Sequence, residues 1–462
     1  MKLSQLSNKN VLILGAGVTG MSCARFLRDQ NIHFAINDSR AQLVSDTEFH
    51  HDFPDCQLSL GNWDTALITA ADVIIASPGI DMQTPAIKSA ISDRADVIGD
   101  VELYCRLGDT PLLAVTGSNG KSTVVTLLAY LGQSLGVNCQ LGGNIGVPVL
   151  DHLTNNQAPD IDVIALELSS FQLETISSMK AIAATVLNIS DDHLDRHKTL
   201  ENYRNIKHRI YEQAHVVLVN RDDVLTQVSA VSPQQKLISF GSDKPTSGNF
   251  GIDTIDGRPY LMYGEQALIA VAELPIAGMH NALNCLAALA LGMSAGWSLT
   301  GMVAQLPNFK SLEHRCQHVP SSDGIIWIND SKATNVGATL AAIAGLAATL
   351  PADNHLILIA GGDGKGADFS ALKTAMEQHV SQLITLGKDG NEIAKLSADS
   401  IKVNSIEQAV INARSIAKSG DVVLLSPACA SIDMFNNFAE RGEAFMQAVK
   451  TGDQLNERSL SC

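Results

Sequence analysis

A chain of 462 residues that is 45% hydrophobic and 17% charged is too long for one core and too apolar for disorder, so it points to several folded domains. A formal net charge of −16 excludes a broad nucleic-acid or anionic-membrane surface, and anionic ligands must then be held by local devices. The eight cysteines form no C-x-x-C pair, no apolar run is long enough for a membrane span, and the start of the chain reads as a strand rather than a leader, so a reducing cytoplasm is expected.

Three segments in turn repeat a strand, a glycine-rich turn and a helix, which implies an α/β chain of three domains built on parallel sheets. The first, taken as 1–99, carries strands at 11–14, 33–37 and 72–76. Its Gly15-Ala16-Gly17-Val18-Thr19-Gly20 turn follows a strand and opens a helix, the setting in which backbone N–H groups and a helix start face a phosphate. Asp38, ending the second strand, stands where a dinucleotide fold puts its ribose-binding acid. An NAD(P)-dependent dehydrogenase is therefore a rival reading, and a ligand-free tight turn is the plain one.

The second segment, 100–311, opens with a strand at 112–116 that runs into Thr116-Gly117-Ser118-Asn119-Gly120-Lys121-Ser122-Thr123 and a helix over 122–135. This is a P-loop variant. Successive N–H groups cradle phosphates, Lys121 balances their charge and the Ser122 hydroxyl can hold magnesium; the strict pattern asks for glycine where Val115 stands. Further strands are expected near 163–167, 185–188 and 216–219, with a polar, turn-rich excursion over 241–257. Glu167 ends one of those strands, and Asp191-Asp192-His193-Leu194-Asp195-Arg196-His197 follows another. Strand ends in open α/β sheets face the ligand crevice, and a carboxylate and a neutral imidazole can both serve a magnesium site. Lys207 lies in a helical stretch, where a lysine is ordinarily a solvated surface charge.

The third segment, 312–462, carries strands near 325–329, 356–360, 383–386 and 422–425. Across the chain the P-loop variant, Glu167-Leu-Ser-Ser-Phe-Gln172, Asp192-His193-Leu-Asp-Arg196, Gly278-Met-His-Asn281-Ala-Leu-Asn284, Glu313-His-Arg315, Asn329-Asp330-Ser-Lys332-Ala-Thr334-Asn335 and Ser426-Pro-Ala-Cys-Ala-Ser431 occur in the order seen in Mur ligases. The chain resembles that family over nearly its whole length. The short first domain with Ser77-Pro78-Gly79-Ile80 is most similar to the members that add D-glutamate to UDP-N-acetylmuramoyl-L-alanine in peptidoglycan synthesis.

The resemblance implies a Rossmann-like UDP-binding domain, a central P-loop ATPase-like domain and a C-terminal Rossmann-like domain. It implies an ATP-dependent ligase working through an acyl phosphate with two Mg²⁺ ions, acting on small molecules as a monomer without nucleic-acid or membrane partners. Residues carry over by position. Lys121, His193 and Lys207 would be catalytic, with Lys207 carbamylated; Ser122, Glu167, His193 and Lys207 would serve the metals. ATP would meet Gly117, Ser118, Asn119, Gly120, Lys121, Ser122, Thr123, Asn281, Asn284, Arg315 and Asp330. The UDP-linked substrate would meet Gly17, Val18, Thr19, Asp38, Ser39, Arg40, Ser77, Pro78, Gly79, Asn144, Ser169, Gln172 and His193. The incoming amino acid would meet Thr334, Lys332, Lys365, Ser431 and Phe438. A related Mur-type or folylpolyglutamate synthetase-like ligase, the NAD(P) dehydrogenase and a non-catalytic nucleotide sensor are the alternatives. A dehydrogenase has no use for Lys121, His193 and Lys207, and a sensor would release no ADP.

Overall fold

The structure, a computed structural model, describes residues 3–42, 46–154, 160–274, 278–310, 312–347, 350–351 and 353–460. Short runs of aliphatic residues form strands buried on both faces, because helices cover both sides of each parallel sheet. The first sheet comprises β1 (Val11–Leu14), β2 (Phe34–Asp38), β3 (Gln57–Leu60), β4 (Val73–Ala76) and β5 (Asp96–Ile98) in the order 3-2-1-4-5. The strand order reverses beside β1. The Gly15–Gly20 turn after β1 and the Ser77–Ile80 turn after β4 therefore lie at the switch point, where such sheets hold ligands.

The central sheet comprises β6 (Leu112–Thr116), β7 (Cys139–Gly143), β8 (Val163–Glu167), β9 (Ala183–Val186), β10 (Val216–Asn220) and β11 (Lys236–Phe240), ordered 11-10-9-6-8-7. Every pairing in it is parallel, so the ends of β6, β8 and β9 deliver the P-loop, Glu167 and the 188–193 segment to one edge. A core of Leu113, Val115, Leu127 and Leu131 seats helix Lys121–Ser134 on this sheet beside helix Met279–Ser294.

The 241–257 stretch is more than an excursion of turns. From Phe250 the chain forms an antiparallel sheet of β12 (Phe250–Ile255), β13 (Arg258–Tyr263) and β14 (Gln266–Ala270). Asp256 and Gly257, both at positive φ (49° and 76°), make the two-residue turn joining β12 to β13, and an Asp-Gly pair between apolar runs is the signal for it.

The third sheet comprises β15 (Gln317–Val319), β16 (Ile326–Asn329), β17 (Leu356–Gly361), β18 (Val380–Leu386), β19 (Ile401–Lys402) and β20 (Val422–Leu425), ordered 15-16-20-17-18-19. Only β15 runs antiparallel. Its parallel strands send Asp330, Gly361–Gly366 and Ser426–Ser431 to the edge that faces the P-loop. Among the described residues no helix is long and apolar enough to cross a membrane.

Candidate active site

The P-loop forms because β6 ends in a glycine-permitted reversal. Gly117 and Gly120 sit at φ 153° and 83°, and a Cβ on Gly120 would stand 2.5 Å from Asn284 Oδ1; only glycine lets helix Met279–Ser294 press this close. Val115 lies inside the sheet opposite Glu167 and Thr185, so the position that the strict pattern gives to glycine is here a strand residue. The Lys121 ammonium donates to the Gly117 and Ser118 carbonyls at 2.8 and 2.9 Å. Burial lowers its pKa, against the opposing charges of Glu167 and Asp192. Ser122 and Thr123 are buried at the helix start.

Glu167 is 2% exposed. Its Oε1 accepts a hydrogen bond from Asn144 Nδ2 at 2.8 Å, while Oε2 is buried with no hydrogen-bond partner among the described residues. A bare buried carboxylate oxygen is costly. A cation is the group that satisfies it, so the site fits magnesium. His193 sits in the left-handed region at φ 53°, its ring edge-on to Phe171 with centroids 4.8 Å apart. Burial holds its pKa below the usual histidine value, which favours the neutral ring a metal needs.

Lys207 is not a surface lysine. It is 1% exposed, projecting from helix Leu200–His208 beneath the P-loop, where Nζ donates to the Gly117 carbonyl at 2.9 Å and to Thr116 Oγ1 at 3.2 Å. Burial, then the charge of Lys121, push its pKa well below the ordinary lysine value.

The C-terminal domain supplies the opposite wall. A cavity of about 480 Å³ lies between them, and Lys121, Ser122, Glu167, Asn281, Asn284 and Arg315 line it. Asp330, Lys332, Thr334 and Phe438 line it as well. Asp330 accepts from Ser426 Oγ at 2.8 Å and from the Cys316 N–H at 3.2 Å, and burial raises its pKa to about 6. Lys332 lies over the Phe438 ring, 3.7 Å from its centroid, and burial lowers its pKa to about 8. Ser431 is buried but outside this lining.

Lys365 and Asn335 join the walls. Lys365 Nζ reaches Asp192 Oδ1 at 3.2 Å, and Asn335 Nδ2 donates to Asn119 Oδ1 at 3.1 Å and to Asp192 Oδ2 at 3.3 Å. Asp192 and Asn335 are therefore interdomain residues that motif reading quoted without giving them a role. That reading missed the apolar part of the cavity lining too, to which Leu187, Phe240, Leu283, Ala341 and Ala342 contribute. They come from four separate stretches of chain and share no local pattern.

The first-domain residues are arranged differently. Asp38 Oδ2 accepts the Ala16 N–H at 2.7 Å, and its carboxylate takes the Arg40 guanidinium at 2.9 and 2.7 Å; these bonds hold its pKa down to about 2. The acid thus shapes the turn and carries Arg40, instead of standing open to a ribose. Gly20 is obligatory, since a Cβ would fall 1.8 Å from the Gly15 carbonyl oxygen. Ser77 Oγ donates to that same oxygen at 3.3 Å. Val18 is 76% exposed at the rim, near Gly17 and Thr19, with Ser39 following Asp38 and Pro78 and Gly79 opposite. Asn144 lies with Glu167 in the main cavity. Ser169 and Gln172 make a capping box: the Gln172 N–H donates to Ser169 Oγ, and Gln172 Oε1 accepts from the Ser169 N–H.

Three family models match the chain: "Mur ligase MurD-like, N-terminal domain" over 9–99, "Mur ligase middle domain" over 115–292 and "Mur ligase, glutamate ligase domain" over 314–429. A protein of Colwellia psychrerythraea named UDP-N-acetylmuramoylalanine–D-glutamate ligase is 56% identical, over 97% of this chain and 98% of its own. A protein of the same name from Haemophilus ducreyi is 43% identical over 97% and 99%. The solved UDP-N-acetylmuramate-alanine ligase of Thermotoga maritima superposes at a TM-score of 0.60 with 16% identity, covering 96% of this chain and all of its own. FolC of E. coli, solved with DHPP and ADP, reaches 0.54 with 15% identity over 78% of this chain and 92% of its own. These two show a common fold.

Proposed function

The chain belongs to the Mur ligase family of ATP-dependent ligases, and we propose that it joins D-glutamate to UDP-N-acetylmuramoyl-L-alanine in the cytoplasm. The observation that carries this is the cavity shared by the P-loop and the C-terminal domain, with the bare Glu167 Oε2 beside Ser122 and Lys121. The relatives' names supply the substrates.

In the proposed reaction the substrate carboxylate attacks the γ-phosphorus of ATP, giving an acyl phosphate and ADP. The amine of D-glutamate then attacks the acyl carbon, and phosphate leaves as the amide forms. Bringing anions together is the main obstacle, so positioning and charge do most of the work. The loop N–H groups and Lys121 hold the phosphates. Asn281, Asn284, Arg315 and Asp330 would hold the nucleotide from two domains, and the apolar lining that Phe240 and Ala341 provide suits its base. Lys365, Lys332 and Thr334 would offer cations and a hydroxyl to a dicarboxylic amino acid, with Ser431 and the Phe438 backbone as its remaining contacts.

Ser122, Glu167, His193 and Lys207 would hold two magnesium ions, which supply charge neutralisation to the phosphates when bound. Lys207 is proposed to act as its carbamate, an anionic oxygen ligand in place of a repelled ammonium. The burial that lowers the Lys207 pKa favours the neutral amine, which is the form that adds CO₂. The Gly15–Gly20 turn, Arg40 and Ser77–Gly79 would hold the uridine diphosphate part.

ADP release with UDP-N-acetylmuramoyl-L-alanine and a panel of amino acids, both glutamate enantiomers included, tests the function. Release with D-glutamate alone is expected. Release with a folate and L-glutamate instead would move the chain to the folylpolyglutamate-type reading.

A further inference from the structure

Arg196 closes the Asp192–Arg196 motif, but no role above uses it. Its side chain is 13% exposed and is spent on two domains at once. Nη2 donates to Glu174 Oε2 of the central domain at 2.5 Å and to the Ile80 carbonyl of the first domain at 3.2 Å. Nε lies 3.5 Å from Asp81 Oδ1. One planar fork thereby ties a helix turn in one domain to a backbone turn in another, a use of guanidinium that an ammonium cannot copy.

Both ends of this tie lead to site residues. On the first-domain side the Ile80 N–H bonds the Ser77 carbonyl at 2.9 Å, and Ser77 Oγ bonds the Gly15 carbonyl, so the turn held by Arg196 is the one that meets the glycine-rich turn. On the central side the Arg196 N–H bonds the His193 carbonyl at 3.1 Å. Its guanidinium also stands over the Phe171 ring, 5.2 Å from the centroid, and that ring meets the His193 imidazole edge-on. Ile80 and His193 are thus linked by an unbroken run of contacts through Arg196 and Phe171.

We propose that Arg196 is a positioning residue that couples engagement of the UDP-linked substrate by the first domain to the orientation of the His193 ring. The inference rests on the reading of the first domain as the uridine diphosphate site. A staple that merely held two domains together would leave His193 indifferent to ligand at the Ser77–Ile80 turn.

The test uses the full chain without ATP or metal. Calorimetry gives the affinity for UDP, which reaches the first-domain turns without the muramoyl-L-alanine part that would touch His193 itself, and NMR follows the His193 ring resonance, assigned by its loss in His193→Gln. In the wild type the ligand should bind and shift that resonance. Arg196→Met, which keeps bulk over Phe171 and deletes the donors, should weaken binding about tenfold, the scale of a hydrogen bond to a charged group, and abolish the His193 response. Arg196→Lys, which keeps the charge beside Glu174, should show a smaller loss in the same direction and provides the reading if the methionine variant does not fold. Wild-type affinity in the variants, or weakened binding with the His193 response intact, overturns the inference alone. A wild-type protein that does not bind the ligand overturns the reading of the first domain, and the inference with it.

Discussion

The Gly15–Gly20 turn and the Gly117–Thr123 loop share one local design, a buried strand running through a glycine at positive φ (Gly15 in one, Gly117 and Gly120 in the other) into a helix, but their surroundings differ. At the first, Asp38 and Ser77 brace the backbone and Val18 stands in solvent. At the second, helix Met279–Ser294 presses on Gly120, Lys207 lies beneath and Asn335 reaches across from another domain. The first geometry suits binding of a group that does not react. The second removes charges from water, where each electrostatic contact is stronger and each group's pKa moves. Two similar turns can thus be given binding and chemistry by what encloses them.

The largest effect that would break this contrast is at Lys207. Lys207→Ala should cut kcat by about 1000-fold, at or beyond the upper range for one electrostatic group, while circular dichroism shows a folded chain. Formate should restore part of the activity, and Lys207→Arg should stay inactive because guanidinium forms no carbamate under these conditions. Wild-type turnover in the arginine variant would return Lys207 to a structural role.

Next comes Lys121→Ala, for which a loss in kcat of about 100-fold or more is expected. Calorimetric affinity for UDP-N-acetylmuramoyl-L-alanine should be nearly unchanged, since the two turns lie in different domains. A large fall in that affinity would erase the division between them. Arg40→Ala should do the reverse, raising KM for the UDP-linked substrate about tenfold with kcat at saturation retained; a kcat effect without a KM effect would contradict the binding role of the first turn.

The smallest expected effect is a pH dependence of ATP binding. The Asp330 carboxyl titrates near 6 in the folded chain, above its ordinary value, so it is ionised at pH 7 and mostly protonated at pH 5. If the carboxylate accepts hydrogen bonds from the nucleotide, ATP affinity should fall about fivefold over that interval by proton linkage. Asp330→Asn should bind more weakly at pH 7 and lose this part of the profile, which separates it from titration of ATP itself. An identical slope in the variant would remove Asp330 from the nucleotide site.

Much of this was legible in the sequence because it is local. Strand, glycine turn and helix follow from residue order, so β1, β6, β8 and β20 were expected at 11–14, 112–116, 163–167 and 422–425, where they lie. Short or half-exposed strands such as Gln57–Leu60 and Asp96–Ile98 left too weak an alternation to find, and they exist because a neighbouring strand offers its hydrogen-bonding edge. Motif order pointed to the family and to Glu167, His193 and Lys207. It could not tell that Lys207 is buried beneath the P-loop, that Asp38 is already engaged by Ala16 and Arg40, or that Asn335 reaches Asn119 and Asp192. Sequence by itself determined which backbone turns and chemical groups are available, since these depend on neighbours a few residues away. Tertiary structure alone decided which of them lose water and which partners they meet, because burial and cross-domain contact join residues far apart in the chain.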